Sequence, residues 1–107
     1  MILRFPKFRL KNNLNSSETA KKLNLLKAIK SKISTWSDEV YFETSYLGIK
    51  LHEKARDLIA FGEITHWCEG NLIAIGFGPT PLSKNSNEIR LVSKTNVFSS
   101  FRTSKLY

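Results

Sequence analysis

Histidine and cysteine stand two residues apart at His66 and Cys68, a spacing that puts both side chains on one face of a strand. With His52 or Glu69 they offer the donor types that bind zinc. A structural zinc site needs four ligands at a recognisable spacing, and this sequence supplies a fragment, so no metal or other cofactor is expected. A nucleophilic Cys68 would need a base beside it, which nothing in the sequence places there. The ordinary role of a lone cysteine is that of a small, half-buried apolar group. Glu39, Glu43, Glu63 and Glu69 are carboxylates of the kind that do acid–base work, yet outward strand positions usually leave such groups solvated, and no catalytic residue is assigned. Glu43 differs because it shares a strand face with Tyr41. Large aromatics recur nearby at Trp36, Tyr41, Trp67 and Phe77. With Glu43 and Thr80 as polar fixtures, they form the candidate lining of a ligand groove, core packing being the competing role of the rings.

The elements that would position these residues centre on "ITHWCEGNLIAIGFGPTP", from Ile64 to Pro81. It holds two of the three prolines, three of the five glycines and one of the two tryptophans. Read locally, it is a hairpin with an exit loop: a strand Ile64–Trp67, a turn over Cys68–Asn71, and a buried strand Leu72–Phe77. Gly70 and Asn71 are residues that supply the positive backbone angles of a tight turn. Glycines on both sides of Phe77 suggest a bulge or a close neighbour. Pro79 and Pro81 stiffen the departing chain. The result is a rigid lip beside a buried strand.

Elsewhere the pattern is also mostly extended. Residues 2 to 12 read as two short strands around Pro6, which lacks an amide donor and belongs at a turn or edge. "NNLNSSETAKKLNLLKAIK" is the one convincing helix, from about 16 to 29. Asn15 or Ser16 can cap it, with Glu18 at capping-box spacing from Asn15. Ala20, Leu23, Leu26 and Ile29 lie near one stripe. "KISTW" and "EVYFET" flank a Ser37-Asp38 turn and make a hairpin. Residues 45 to 62 leave open a helical turn or an extended approach to the next strand. "EIRLV" (Glu88–Val92) and "TNVFSSF" (Thr95–Phe101) read as two further strands. Many short strands with one helix argue for a closed barrel or a sandwich.

Several motifs, taken together, resemble a known family. "GEITHW..GNLIAIGFGPTP" followed by "EIRLVSKTNV" looks like the small prokaryotic cyclophilin-like domains, minimal versions of the cyclophilin barrel. "NSSETAKKL" matches that family's capped helix and "WSDEVYFE" its following hairpin, so the resemblance covers roughly residues 2 to 101. It implies a mainly β fold, a closed β-barrel with a helix covering one end. The chain departs from the family where Cys68-Glu69-Gly70 replaces a Pro-Pro-Gly turn, where His66 replaces an aromatic, and where Phe98-Ser99 replaces a glycine. The Phe-His-Arg and Gln-Gly-Gly segments of larger cyclophilin isomerase sites do not occur. Isomerase catalysis in that fold uses a cation at the prolyl carbonyl, and Arg4, Arg9, Arg56, Arg90 and Arg102 all lie outside its motif. The expectation is therefore a barrel that binds a small ligand or an extended peptide, with peptidyl-prolyl isomerase activity as the first alternative.

Composition sets the outer limits. A chain of 107 residues with 41% hydrophobic content is one globular domain, taken as residues 1–107. No apolar run approaches the ~20 residues of a membrane helix, no secretory leader is evident, and a single cysteine suits a reducing cytoplasm. The net charge is +8 and it is uneven. Residues 1–35 hold nine Lys/Arg and one acid, whereas residues 36–70 hold three and seven. Charge of this kind attracts polyanions without a dedicated site, which makes non-specific nucleic-acid binding the second alternative. Such attraction should fall steeply with salt and ignore sequence. Fluorescence anisotropy against several oligonucleotides over a salt series checks this, and sequence-dependent binding that survives physiological salt would contradict it.

Overall fold

The computed structural model describes residues 2–4, 9–25, 33–36, 39–44 and 46–100. Strands β1 (Ile2–Arg4) and β2 (Arg9–Lys11) flank the Pro6 region and pair antiparallel, with Leu3 opposite Leu10. After β3 (Asn13–Leu14) comes α1 (Glu18–Asn24). Its cap is Ser17, one residue later than the sequence suggested: the Ser17 side chain accepts from the Ala20 amide. Asn15 acts one step earlier, accepting from the Ser17 amide and donating to the Val97 carbonyl, so it fastens the approach to the helix onto the sheet. The helix turns off at Leu25. Positions 26–29 of the expected helix, including Leu26 and Ile29, lie outside the described residues.

The strand-rich remainder follows the alternation of the sequence. β4 (Ile33–Trp36) and β5 (Glu39–Glu43) form the expected hairpin, with Trp36 opposite Glu39. The ambiguous stretch before Gly62 is extended, giving β6 (Arg56–Ile59). β7 (Glu63–Trp67) and β8 (Leu72–Gly76) form the next hairpin. In its turn the left-handed residue is Asn71, at φ 52°. Gly70 is needed for another reason: a Cβ there would lie 2.5 Å from the Trp67 ring, so the ring folds over the turn. The two strands expected at the end are one, β9 (Ile89–Ser100). No Gly or Pro interrupts Val92 to Thr95, and the strand changes partner instead of stopping. Ile89, Arg90 and Thr95 face β6, while Asn96 to Ser100 face β7.

All pairings are antiparallel. The main sheet runs β3-β9-β7-β8-β5-β4, with β6 also on β9. Among the described residues this is an open path and not a ring. The fold is thus mainly β with one helix, and the strand pairings do not by themselves show the closed barrel expected from the sequence.

Each face of the sheet buries a cluster. On one, Phe42, Ile64, Ile73, Ile75 and Phe98 pack with Ala20 and Leu23 of α1 and with Ile49. The other carries the smaller group of Ile59, Ile89 and Leu91, with Val97 against it. Residues 47–52, which include Ile49, have no strand of their own, and two side chains tie them down: Lys22 Nζ donates to the Gly48 carbonyl at 3.1 Å, and Asn96 holds the part that follows. Asn96, 3% exposed, accepts from the His52 amide at 2.8 Å and donates to the Lys50 carbonyl at 2.8 Å and to Thr19 Oγ1 at 3.1 Å. Replacing it by alanine would leave the Lys50 carbonyl, the His52 amide and the buried Thr19 hydroxyl without this partner. Asn96→Ala is expected to cost roughly 1–3 kcal/mol, read from urea unfolding, with amide exchange quickening first at Lys50 and His52.

Candidate functional site

Strand register decides which candidate residues meet. Directly paired residues project to the same side of a sheet. Trp36, Glu39 and Gly76 form one row across β4, β5 and β8. Ser34, Tyr41, Ala74 and Thr65 form the next, and Glu43, Leu72 and Trp67 the third. Because the rows are two residues apart along each strand, all three lie on one face. Trp36, Tyr41, Glu43 and Trp67 therefore share a face, opposite to the one that packs against α1.

Burial changes along this face. At one end Glu39 is 7% exposed. Beside it, a Cβ on Gly76 would meet Ile59 Cδ1 at 2.8 Å and Ile89 Cγ2 at 3.2 Å, so the second cluster covers that end. In the middle row Tyr41 is half-buried, while Thr65 is fully buried and donates to Thr95, whose hydroxyl bonds the Arg56 carbonyl. In the last row Glu43 is exposed, with Leu72 and Trp67 half-buried. The face is closed at the Glu39 end and open at the Glu43 end.

One buried side-chain atom on this face is unpaired. Trp67 Nε1 is buried and lacks a hydrogen-bond partner. The atoms of its ring nearest Gly70 are Cε3, Cζ3 and Cδ2, so the benzene edge lies on the turn and the N–H edge points away from it. Glu39 has no hydrogen-bond partner among the described residues, and burial pushes its carboxyl up to about 7. Sequence reasoning named Glu39 only as one of four acids on the strands. Its position opposite Gly76 was the missing signal, and that depends on register.

The other two candidates sit elsewhere. Phe77 is half-buried, packs against the main cluster and meets Phe61 edge-on at 6.1 Å between ring centres. Thr80, 5% exposed, donates to the Arg90 carbonyl, and its amide bonds Ser83 Oγ at 2.9 Å. Ser83 Oγ also accepts from the Arg90 amide at 3.2 Å. Thr80 and Ser83 thus clamp the proline loop to β9.

The family model described as cyclophilin-like matches residues 1–105. The chain belongs to the cyclophilin-like family. Comparison with curated proteins finds no match. The cyclophilin-like chain carries its departures at the centre of the sheet: His66 is 1% exposed on the α1 side, and Phe98 is fully buried in the main cluster. Cys68 does have an imidazole nearby, as His66 Nδ1 lies 3.7 Å from Sγ, and Asn96 Nδ2 donates to the same sulfur at 3.4 Å. Burial lowers the His66 pKa, keeping the ring neutral. Burial also pushes the Cys68 thiol up, its backbone hydrogen bond opposes this, and Glu69 raises it further, so this thiol is a poor source of thiolate. The zinc donors considered from the sequence do not converge: His52 is exposed and accepts from the Lys54 amide. Among the described residues no three His, Cys, Asp or Glu side chains gather as a metal site. No described helix is long and apolar enough to cross a membrane.

Glu39 sets a pH dependence of stability. Its folded pKa of about 7 lies above the ordinary 4.5, so the folded state holds the proton more tightly than the unfolded one. The associated stability is full below the unfolded value and is lost as pH rises through 7. The difference corresponds to about 3 kcal/mol. Glu39→Gln should remove this slope and stabilise the protein at pH 8 but not at pH 4.5. Urea unfolding of both proteins across that range measures it.

Proposed function

We propose that the face bearing Trp36, Tyr41, Glu43 and Trp67 binds a small ligand or an extended peptide, and that the protein acts by binding and not by catalysis. The observation that carries this is the set of three paired rows, closed at Glu39 and open at Glu43. Aromatic walls with a few fixed polar groups are the usual construction of such sites. In line with the family, we take the sheet to close into a barrel with this face inside. Phe77 and Thr80 do not line this face but brace the loop that follows β8. The first is anchored on Phe61 and the second on β9, so the loop needs little ordering when a ligand arrives.

The isomerase alternative is disfavoured by the state of the two arginines whose side chains are described. Arg56 is held by Glu63 at 2.7 Å, and Arg90 by Glu88 at 2.7 Å and Asp57 at 3.4 Å. Neither is available to a prolyl carbonyl without breaking those pairs. A protease-coupled assay on several X-Pro peptides should show negligible turnover.

The binding reading is tested by NMR titration with a library of tetrapeptides and small fragments. Saturable shifts are expected at Tyr41, Leu72 and Trp67. Tyr41→Ala should weaken binding roughly tenfold, about 1.4 kcal/mol, with unfolding measured on the same variant to separate lost affinity from lost stability. Shifts confined to the shallow depression between α1 and residues 48–53, lined by Glu18, Lys22, Lys50 and His52, would refute it.

A further inference from the structure

The α1 side of the sheet holds a pair of donor atoms that the fold does not otherwise use. His66 is 1% exposed, its Nε2 has no hydrogen-bond partner, and its Nδ1 faces Cys68 Sγ at 3.7 Å. A thiol is a weak partner for an imidazole, so neither nitrogen of this buried ring has a strong one. Buried polar groups in that state are uncommon, and a bound ion is one of the explanations. Burial keeps the ring neutral. In the tautomer with its proton on Nε2, the Nδ1 lone pair is free for a cation. Cys68 is half-buried and packs against the main cluster, so its sulfur is the point of entry. Asn96 Nδ2 donates to that sulfur at 3.4 Å. An N–H aimed at sulfur favours the thiolate and orients it, as groups behind a metal ligand do.

Distance narrows the choice of cation. With bonds of roughly 2.3 Å to sulfur and 2.0 Å to nitrogen, donors 3.7 Å apart subtend about 120° at a shared ion, the angle of a trigonal site. Structural zinc takes four ligands, and among the described residues no third His, Cys, Asp or Glu gathers here. A thiolate beside an imidazole suits soft copper(I), which is satisfied by three donors. We infer that His66 Nδ1 and Cys68 Sγ form a chelating pair for a soft monovalent cation of the copper(I) type, with the third position taken by a donor from solution. The pair lies on the opposite side of the sheet from the aromatic face and does not depend on that face binding anything. The thiol is a poor source of thiolate when free, but a metal displaces its proton. As the metal–sulfur bond forms, that proton passes to solvent and the metal keeps its oxidation state.

The test is an anaerobic titration of the full chain with copper(I) against the competing chelator bicinchoninate. One equivalent should bind. Cys68→Ser and His66→Phe should each weaken it by about a hundredfold or more. The phenyl ring keeps the core filled, and urea unfolding of both variants separates a lost ligand from a lost fold. Nitrogen NMR of the wild-type imidazoles gives a readout that survives an unfolded variant: on loading, the His66 Nδ1 resonance should shift while those of His52 stay in place. Failure to bind copper(I), or an unmoved Nδ1 resonance, overturns the inference. A folded His66→Phe that binds as tightly as the wild type reduces the site to a single thiol and overturns it as well. Uptake unchanged in Cys68→Ser places the metal elsewhere, with the same consequence. Zinc held as tightly as copper(I) by the same two residues would overturn the soft-cation assignment.

Discussion

A buried primary amide carries one acceptor and two donor hydrogens that must be matched inside the protein, and Asn96 finds its partners on three different segments. Its oxygen takes the His52 amide, while its nitrogen reaches the Lys50 carbonyl, Thr19 on the helix and the Cys68 sulfur. The segment around Ile49 is irregular and cannot satisfy its backbone through a ladder. Asn96, together with Lys22 on the Gly48 carbonyl, replaces that ladder, and the apolar cover over the main cluster follows from it. Because Asn96 is paired with His66 across β9 and β7, the same residue fixes the end of the strand from which Trp67 projects. The candidate site is thus held from behind, by a polar junction on the opposite face.

On the site face the dominant physical effect is the unequal covering of three rows. Ile59 and Ile89 close one end by occupying the space that a side chain at position 76 would need. That leaves Glu39 among apolar neighbours, where ionisation is penalised. Desolvation and not a charged partner raises its pKa. At the other end Gly70 lets the Trp67 ring fold onto the turn, which turns its N–H edge away from the loop. Two glycines with no common sequence motif therefore shape the two ends of one surface, and each does so by making room for a large neighbour.

Much of the architecture was legible in the residues. Alternation in "EVYFE" and "EITHW", a capped apolar stripe at Ala20 and Leu23, and turn residues at Asn71 are local signals, and local signals determine local conformation. Family membership was legible for the same reason, through contiguous strings such as "FGPTP" and "WSDEVYFE". The misreadings were also local. Ser17 displaced Asn15 as the cap because Asn15 had a distant partner, the Val97 carbonyl. β9 ran unbroken because two different strands support its two halves. Short-range patterns carry no information about either.

The sequence by itself determined the strand and helix content, the family, and the shortlist of aromatics and acids, since each of these depends on residue type and spacing along the chain. Only the tertiary structure decided how that shortlist divides. Register brought Trp36, Tyr41, Glu43 and Trp67 onto one face and added Glu39 to them, while Phe77 went to the main cluster and Thr80 to the clamp on β9. A shift of one residue in pairing would move every side chain of a strand to the other face. What holds the pairing in place is the burial of Ile64, Ile73 and Ile75 together, a contact among residues of neighbouring strands that no single segment contains.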